Sequence, residues 1–231
     1  MAHFLREEQA IEPAIRSGRS RRHSLAVGLL AMLALTLTGC LGTVANLMHA
    51  ALGEMVPAEF DGLSGKRVAV MCVSASPSFG PTTAADMIAG EVGKQLQRNI
   101  RKMTLIDPQK LQEWTDEHDW NQNDYLEIGK GVDADLLVAV ELISFSLHEG
   151  QTMFKGRAEV EVTVYDIQDD GKRVYQRVPP LIQFPVTTGK PTTEISEPEF
   201  RRQFVKVLAD QVARYFYASD LKDTFARDAA Y

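Results

Sequence analysis

Two short runs of almost wholly apolar residues restrict the possible fold of this chain more than any other feature. The first is Lys-Arg-Val-Ala-Val-Met-Cys-Val at residues 66–73, and the second is Leu-Leu-Val-Ala-Val at residues 136–140. Apolar runs of this length, followed by turn residues, favour strands. A strand without polar alternation is expected to be covered on both faces, as in sheets that carry helices. The two runs therefore predict the centre of a layered α/β domain.

The chain between these runs carries the signals of helices. Thr83 and Asp86 have the spacing of a capping box, so a helix is expected to begin there. Asp107 as N-cap and Pro108 as first helical residue predict a second helix, after a short strand at residues 103–106. A third, short helix is expected within residues 121–131. The apolar residues predicted to face the core are Ile88, Val92, Leu96, Ile100, Leu111, Trp114, Tyr125, Leu126 and Ile128.

Strand signals dominate the following part. Residues 157–167 alternate between apolar and polar side chains, which predicts a strand with one solvated face. Asp169-Asp170-Gly171 is the expected turn to a hairpin partner at residues 173–178. Residues 181–187 are expected to form an edge strand, because Pro185 lacks the N–H that a central ladder needs. The capping box Ser196-Glu197-Pro198-Glu199 then begins a last helix with a wide apolar face.

The predicted order of elements is β-α-β-α-(α)-β-β-β-α. It gives an α/β (α+β) fold, a mixed β-sheet with packed helices. The early strands, which are joined through helices, should be parallel, and the later ones should form antiparallel hairpins.

The N-terminus has the three parts of an export signal. A basic stretch with Arg21 and Arg22 precedes an uncharged apolar run of 13 residues, from Leu25 to Leu37. A membrane-spanning helix needs about 20 apolar residues, so this run has instead the length of a signal-peptide core. The run ends in the tetrapeptide Leu37, Thr38, Gly39 and Cys40, which resembles the lipobox of bacterial lipoproteins. That resemblance implies that the Cys40 thiol is first joined to diacylglycerol, which carries palmitate-type acyl chains, and that lipoprotein signal peptidase then cleaves before Cys40.

The expected organisation follows from this motif. Residues 1–39 are expected to be a cleaved signal peptide, and residues 40–65 a lipidated cysteine and tether, with a helical apolar stripe from Val44 to Met55. Residues 66–217 are expected to form a single domain, and residues 218–231 a polar tail. Leu41 after the cysteine favours the outer membrane, facing the periplasm, over retention in the inner membrane. Arg21 and Arg22 leave the export route open between the general and the twin-arginine pathway.

Charge and cysteine content exclude some roles. The full chain has 25 basic and 31 acidic residues, and removal of the leader with its five arginines and three acids leaves 20 and 28. A net charge of −8 and the lack of a basic stripe argue against nucleic-acid binding, and they assign membrane contact to the lipid. With Cys40 lipidated, Cys72 cannot form an intramolecular disulfide, and it is expected to be a buried, inert thiol.

Three stretches resemble a group of bacterial envelope lipoproteins. The group contains the curli-secretion channel lipoprotein and the lipoprotein activators of penicillin-binding proteins, and its domain is similar to the N-terminal domain of the Tol-system periplasmic protein. Residues 66–70 look like its opening strand. Residues 132–138 resemble its glycine-alanine-aspartate segment before a strand, with Val-Asp in place of the glycine. Residues 162–166 with 171–174 resemble its hairpin. The resemblance implies a non-catalytic assembly or regulatory role.

One feature of the secretion channel is missing here. Its long amphipathic segments form membrane-spanning strands, which need two alternating runs of about 9–11 residues. Only residues 145–155 are expected to lie between the two strands at this place, and they contain His148 and Glu149. Residues 148–149 are therefore expected to be a hairpin tip, and the sequence argues against a pore.

No catalytic, metal or cofactor site is predicted. His118 lies among Glu113, Asp116, Glu117 and Asp119, but this is expected to be a solvated helix face, since no second histidine cluster completes a metal site. The loop with Ser74, Ser76 and Ser78 follows a strand, yet it lacks a phosphate-binding glycine motif and is expected to be a connector. Trp120, in a polar stretch, is the candidate for a partner contact.

Three functions compete at this point. The favoured hypothesis is a lipid-anchored, non-catalytic periplasmic adaptor or assembly factor of the cell envelope, acting through protein–protein interaction. The alternatives are a small-ligand-binding lipoprotein or hydrolase and an oligomeric secretion-complex subunit. The expected partners are the membrane, an envelope protein and, as an open alternative, a second copy of the chain.

Overall fold

The computed structural model describes residues 55–74, 83–118 and 124–220. Four α-helices lie in these residues: α1 (Thr83–Asn99), α2 (Pro108–Glu117), α3 (Tyr125–Gly131) and α4 (Glu197–Ala213). The strands are β1 (Met55–Val56), β2 (Arg67–Ser74), β3 (Thr104–Leu105), β4 (Leu136–Glu149), β5 (Met153–Asp166), β6 (Lys172–Arg177), β7 (Ile182–Phe184), β8 (Lys190–Pro191) and β9 (Ser219–Asp220).

One mixed sheet forms the centre of the domain, with strand order β3-β2-β4-β5-β6. Strand β2 pairs in parallel with β3 and β4, whereas β4 pairs antiparallel with β5, and β5 with β6. Strands β7 and β8 also pair with β5, beyond the end of β6. The predicted α/β class, the parallel early strands and the antiparallel late strands are all confirmed.

The larger of two apolar clusters lies between the sheet and the helices α1 and α4. The predicted helical edge Ile88, Val92 and Leu96 is fully buried there, and Ile100 is 8% exposed. Strand β5 contributes Ala158, Val160, Val162 and Val164, each at most 1% exposed, as the period of two predicted. Burial of such an apolar face is the main favourable contribution to folding.

A second apolar cluster covers part of the opposite face of the sheet. Helices α2 and α3 pack there, through Leu111 and Ile128 among others, on Ala69 and Leu137 of the central strands. Thr163 is consequently 6% exposed. The expectation that β5 has one solvated face is therefore wrong at this end of the strand, because short helices that are distant in sequence cover it.

The segment before β2 belongs to the same compact unit as the rest of the domain. Leu63 is fully buried in the larger cluster, and the backbone amides of Glu59 and Phe60 donate to the carbonyl oxygen of Tyr215 over 2.8 and 3.0 Å. Residues 55–65, expected to form the end of a tether, thus pack on the domain. Met55, predicted at the end of a helical stripe, lies in a strand; the rest of that stripe lies outside the described residues.

The C-terminal boundary also differs from the prediction. Met55 pairs with Asp220 and Val56 with Ser219 in a small antiparallel sheet, so residues 219–220 are part of the folded unit rather than of a polar tail. The small sheet is invisible in sequence because two-residue strands carry no periodicity and their pairing joins segments about 160 residues apart. The remaining tail, residues 221–231, lies outside the described residues.

Three local predictions about helix starts have different outcomes. Asp107 accepts a hydrogen bond from Gln109 N at the start of α2, as predicted. Ser196 is the N-cap of α4, but its side chain makes no capping hydrogen bond, so the predicted capping box is not formed. Helix α1 begins at Thr83, as expected.

Candidate partner-binding surface

The outer edge of the sheet is built from three short strands. Along its free side, β5 pairs with β8 at residues 153–154, with β7 at 156–158 and with β6 at 162–166. The turn before β6 needs positive φ at Asp170 (54°) and Gly171 (74°), which Asp and Gly tolerate. Within it, residues 172–186, which contain β6 and β7, are called here the outer edge.

Exposed apolar side chains concentrate on the outer edge. Of the seven large apolar residues exposed in the described part of the chain, four lie there: Val174, Val178, Leu181 and Val186, with exposed fractions of 38, 58, 45 and 61%. Val174 is the extra residue of a bulge, since Tyr165 pairs with Arg173 and Val164 with Tyr175. Lys172, Arg173 and Arg177 lie on the same strand, and charges and bulges on an edge oppose unspecific strand addition.

Hydrogen bonds and charged contacts join the outer edge to the residues before β2. The Tyr175 hydroxyl donates to Glu59 Oε2 over 3.0 Å, and Arg177 Nε lies 3.7 Å from the same oxygen. The Arg177 guanidinium carbon is 5.6 Å from the ring centroid of Tyr215. Desolvation, with the hydrogen bond and the charge of Glu59, raises the pKa of Tyr175. Sequence reasoning missed this network, because its members are distant along the chain.

A second group of polar residues lies on the opposite face of the sheet. The rings of Tyr125 and Tyr165 stack with centroids 4.7 Å apart. Burial, and less strongly Tyr165 and Glu141, raise the pKa of Tyr125 to about 12. Glu141 and Glu161 are directly paired across β4 and β5. Such like charges repel, so this part of the face favours a cationic neighbour.

His118, which was expected to lie on a solvated face, is a surface histidine. His118 is exposed, its ring stacks on Trp114 at 4.3 Å, and its Nδ1 lies 2.9 Å from the carbonyl oxygen of Trp114. Trp114 is half-buried against the second apolar cluster, in agreement with its predicted packing role. In the described part of the chain, no group of three or more His, Cys, Asp or Glu side chains could hold a metal ion.

The region of His148 and Glu149 is a hairpin tip, as predicted, with Gly150 at φ 69°. The strands are longer than expected, however, because β4 continues to Glu149 and β5 begins at Met153. His148 Nε2 lies 3.8 Å from Glu197, and Glu149 pairs with Arg157 across the hairpin. The ion pair of Glu149 with Arg157 holds the two strands together at the tip, and His148 places the tip beside the start of α4.

Cys72 is half-buried near the end of β2. Desolvation raises the pKa of its thiol to about 12, and the charge of Asp86 acts in the same direction. Since the thiolate is the reactive form, this thiol is neutral and unreactive at neutral pH.

Several predicted residues lie outside the described residues. These are Leu37, Thr38, Gly39 and Cys40 of the lipobox, Ser76 and Ser78 of the loop after β2, and the partner candidate Trp120. Their roles stay predictions. No helix in residues 55–74, 83–118 and 124–220 is long and apolar enough to cross a membrane.

The sequence matches no protein-family model and no curated protein. Among solved structures, the chain is similar to the PelC dodecamer from Paraburkholderia phytofirmans, with 10% identity and a TM-score of 0.43 over 71% of this chain and 96% of that one. It is similar to lipoprotein GNA1162 from Neisseria meningitidis, with 10% identity and a TM-score of 0.41 over 63% and 96%. It is also similar to the LpoB C-terminal domain from Salmonella enterica, with 12% identity and a TM-score of 0.35 over 54% and 87%.

Bacterial lipoproteins are thus among the structures that this chain resembles at low identity. At these identities and TM-scores the likeness assigns the chain to no family. The particular group of envelope lipoproteins named from the sequence stays a prediction.

Proposed function

We propose that this protein is a lipid-anchored, non-catalytic adaptor or assembly factor of the bacterial cell envelope, and that it binds a partner protein through its outer edge. The observation that carries the proposal is the concentration of exposed apolar side chains at Val174, Val178, Leu181 and Val186. Exposed apolar patches with polar residues at their rim mark protein-binding surfaces. Trp120 is the further candidate contact.

The lipid anchor on Cys40 supports the envelope setting. Since the folded unit includes Met55, only residues 41–54 separate it from the lipidated cysteine. At about 3.3–3.6 Å per residue, these 15 chain steps place the domain at most about 50 Å from the anchor. The proposed location is the periplasmic face of the outer membrane, on account of Leu41.

The state of the ionisable groups supports binding rather than catalysis. The groups with strongly raised pKa values, Cys72, Tyr125 and Tyr175, are all uncharged at neutral pH. Each owes its shift chiefly to burial, and the hydrogen bond from Tyr175 to Glu59 raises the pKa of that hydroxyl further. Their role is therefore packing and hydrogen bonding.

The anchor is tested by metabolic labelling with radioactive palmitate. The wild-type protein should incorporate label, and the Cys40→Ala variant should not. Equal labelling of both proteins would contradict lipidation at Cys40.

The partner surface is tested by crosslinking in intact envelopes, followed by purification and identification of the crosslinked proteins. Val178→Asp combined with Val186→Asp should remove the specific partner, while Ile143→Asp, at an exposed apolar residue outside the outer edge, should retain it. Trp120→Ala tests the additional candidate. Turnover of a small substrate by the purified protein, with crosslinking unchanged by the double variant, would reject the proposal in favour of a hydrolase. A crosslinked partner that is the chain itself would identify the outer edge as a subunit interface.

A further inference from the structure

Positive charge gathers at one corner of this acidic protein, where the C-terminal end of α1 meets the start of β2. The Ser64 hydroxyl donates to the carbonyl oxygen of Arg101 over 3.1 Å, and Thr104 N donates to the carbonyl oxygen of Lys66 over 2.9 Å. These bonds place residues 64–67 directly beside residues 98–104. The group Lys66, Arg98, Arg101 and Lys102 is called here the basic corner.

The four side chains of the basic corner are exposed, and the charge of Lys66 acts on the nearby Asp135. Within the described residues, none of them takes part in an ion pair of 4.0 Å or less. The adjacent Arg67 differs, because it binds Asp135 at 2.9 Å. The positive charges of Arg98 and Arg101 also interact favourably with the helix dipole at the C-terminal end of α1. This interaction extends over about one helical turn, so it does not explain the position of Lys66 in the same group.

The basic corner adjoins the place where the chain from the proposed lipid anchor enters the domain. Met55 lines a cleft of about 200 Å³ together with Asn99, which lies between the cations of the α1 end. Met55 and Val56 are 53 and 40% exposed. Two acidic residues also line this cleft: Asp210 is bound to Arg214 at 2.6 Å, and Asp220 lies in β9 opposite Met55. Exposed apolar residues and unpaired cations therefore lie side by side next to the entry of the tether.

We infer that the basic corner binds the anionic phospholipid headgroups of the membrane that holds the anchor, with Met55 and Val56 against the interface. Each cation near an anionic surface adds to the attraction, and the effect falls off within a Debye length of about 8–10 Å. A tether of 15 chain steps keeps the corner within reach of that surface. The domain thereby acquires a fixed orientation on the membrane, which a lipid anchor alone does not supply. This inference rests on the proposed lipid anchor only for its biological setting.

The test uses the mature chain, residues 40–231, with Cys40→Ser, so that binding by lipid plays no part. All buried apolar residues of both clusters lie between Leu63 and Phe216, so this chain retains the complete core. Sedimentation compares vesicles of phosphatidylcholine with vesicles in which about a third of the lipid is phosphatidylglycerol. The wild-type chain should prefer the anionic vesicles, and binding should weaken as salt is added.

The variant with Arg98→Gln, Arg101→Gln and Lys102→Gln should bind anionic vesicles at least about tenfold more weakly. A control with Lys110→Gln, Lys130→Gln and Lys172→Gln carries the same net charge but loses cations that already contact Asp133, Asp170 and Asp169. It should bind within about twofold of the wild type, since paired charges attract the surface less. Arg98→Lys, Arg101→Lys and Lys102→Arg should retain binding, which separates charge from folding defects.

Binding without preference for anionic vesicles, or equal losses in the two triple variants, would overturn the inference. Retention of an acidic protein by the basic corner, without vesicle binding, would also overturn it and would assign the corner to a protein partner. Since the tested chain lacks the lipidated thiol, these outcomes are independent of the palmitate experiment on Cys40.

Discussion

The carboxylate of Asp135 holds the first residue of β2, Arg67, in two ways. Asp135 Oδ2 accepts a hydrogen bond from the Arg67 backbone amide over 2.8 Å, and Oδ1 accepts one from the guanidinium over 2.9 Å. Asp135 N donates in return to the carbonyl oxygen of Arg67 over 2.8 Å. Two of the three sequence stretches that carry the resemblance to envelope lipoproteins, residues 66–70 and 132–138, thus meet at the start of the parallel pair β2 and β4.

Asp135→Asn should weaken the domain in a pH-dependent manner. The hydrogen bonds and charge of Arg67 lower the pKa of Asp135 below the value of about 3.9 in an unfolded chain. A lowered pKa contributes stability above the unfolded pKa, and this is lost as the pH falls through the folded pKa. The difference between wild type and variant, about 1 kcal/mol for a partly exposed pair, should therefore be present at pH 7 and be lost as the pH falls through the lowered pKa of Asp135 in the folded protein. Urea unfolding at several pH values measures it.

Asp133→Asn is the matched control for that change. Its carboxylate is 73% exposed and lies 3.4 Å from Lys110, and asparagine tolerates the positive φ of 59° at this position. The expected change in stability is within about 0.5 kcal/mol. A control that loses as much stability as Asp135→Asn would show that the bond to Arg67 has no special effect.

Gly156→Ala should destabilise the domain, because the ring of Phe204 lies where a side chain would be. A Cβ built on Gly156 would be 2.4 Å from Phe204 Cγ, and Phe204 is fully buried. Overpacking of this kind costs about 1–3 kcal/mol. Gly90→Ala is the opposite case, since nothing lies within 4 Å of its Cβ on α1, and alanine there should add about 1 kcal/mol. Thermal melting of both variants should give shifts of opposite sign; equal signs would contradict the packing seen at Gly156.

Val70→Asp should unfold the domain. Val70 is 5% exposed in the larger apolar cluster, and a carboxylate there would have no partner. The expected loss of stability is at least about 3 kcal/mol, whereas Val178→Asp on the outer edge should change it by about 0.5 kcal/mol or less. Circular dichroism and urea unfolding compare the two, and a folded Val70→Asp variant of unchanged stability would refute the central place of β2.

Cys72 should react slowly with thiol reagents in the folded protein. Desolvation raises the pKa of its thiol to about 12, so almost none is thiolate at pH 8. The Cys40→Ser chain, in which Cys72 is the remaining cysteine, should be alkylated at least about tenfold faster in denaturant than in buffer. Equal rates would mean that this thiol is hydrated in the folded state.

Tyr175→Phe should loosen the segment before β2. The variant lacks the hydroxyl that donates to Glu59 over 3.0 Å. Its free energy of unfolding should therefore be lower by about 1 kcal/mol. If the bond holds residues 55–61 on the domain, amide hydrogen exchange at Glu59 and Phe60 should accelerate. In a double-mutant cycle, Tyr175→Phe and Glu59→Gln should show coupling, and strictly additive effects would exclude the bond.

The sequence by itself determined those helices and strands of the fold that depend on local periodicity. The apolar runs at β2 and β4, the i, i+4 edge of α1 and the alternation in β5 are strong signals, because a helix or strand must present one apolar face to a core. Their order also implied which strands are parallel, since short turns join antiparallel strands and parallel strands need a crossover. The N-cap of α2 at Asp107 was also predicted correctly from the sequence.

Tertiary structure alone decided the contacts between distant segments. The pairing of Met55 with Asp220, the burial of Thr163 under α2 and α3, and the binding of Glu59 by Tyr175 leave no trace in local spacing. The outer edge and the basic corner were also decided by tertiary structure alone, because each becomes a surface only when the sheet brings its residues together. Sequence periodicity reports which side of an element is apolar, whereas a binding surface depends on which elements remain uncovered after packing.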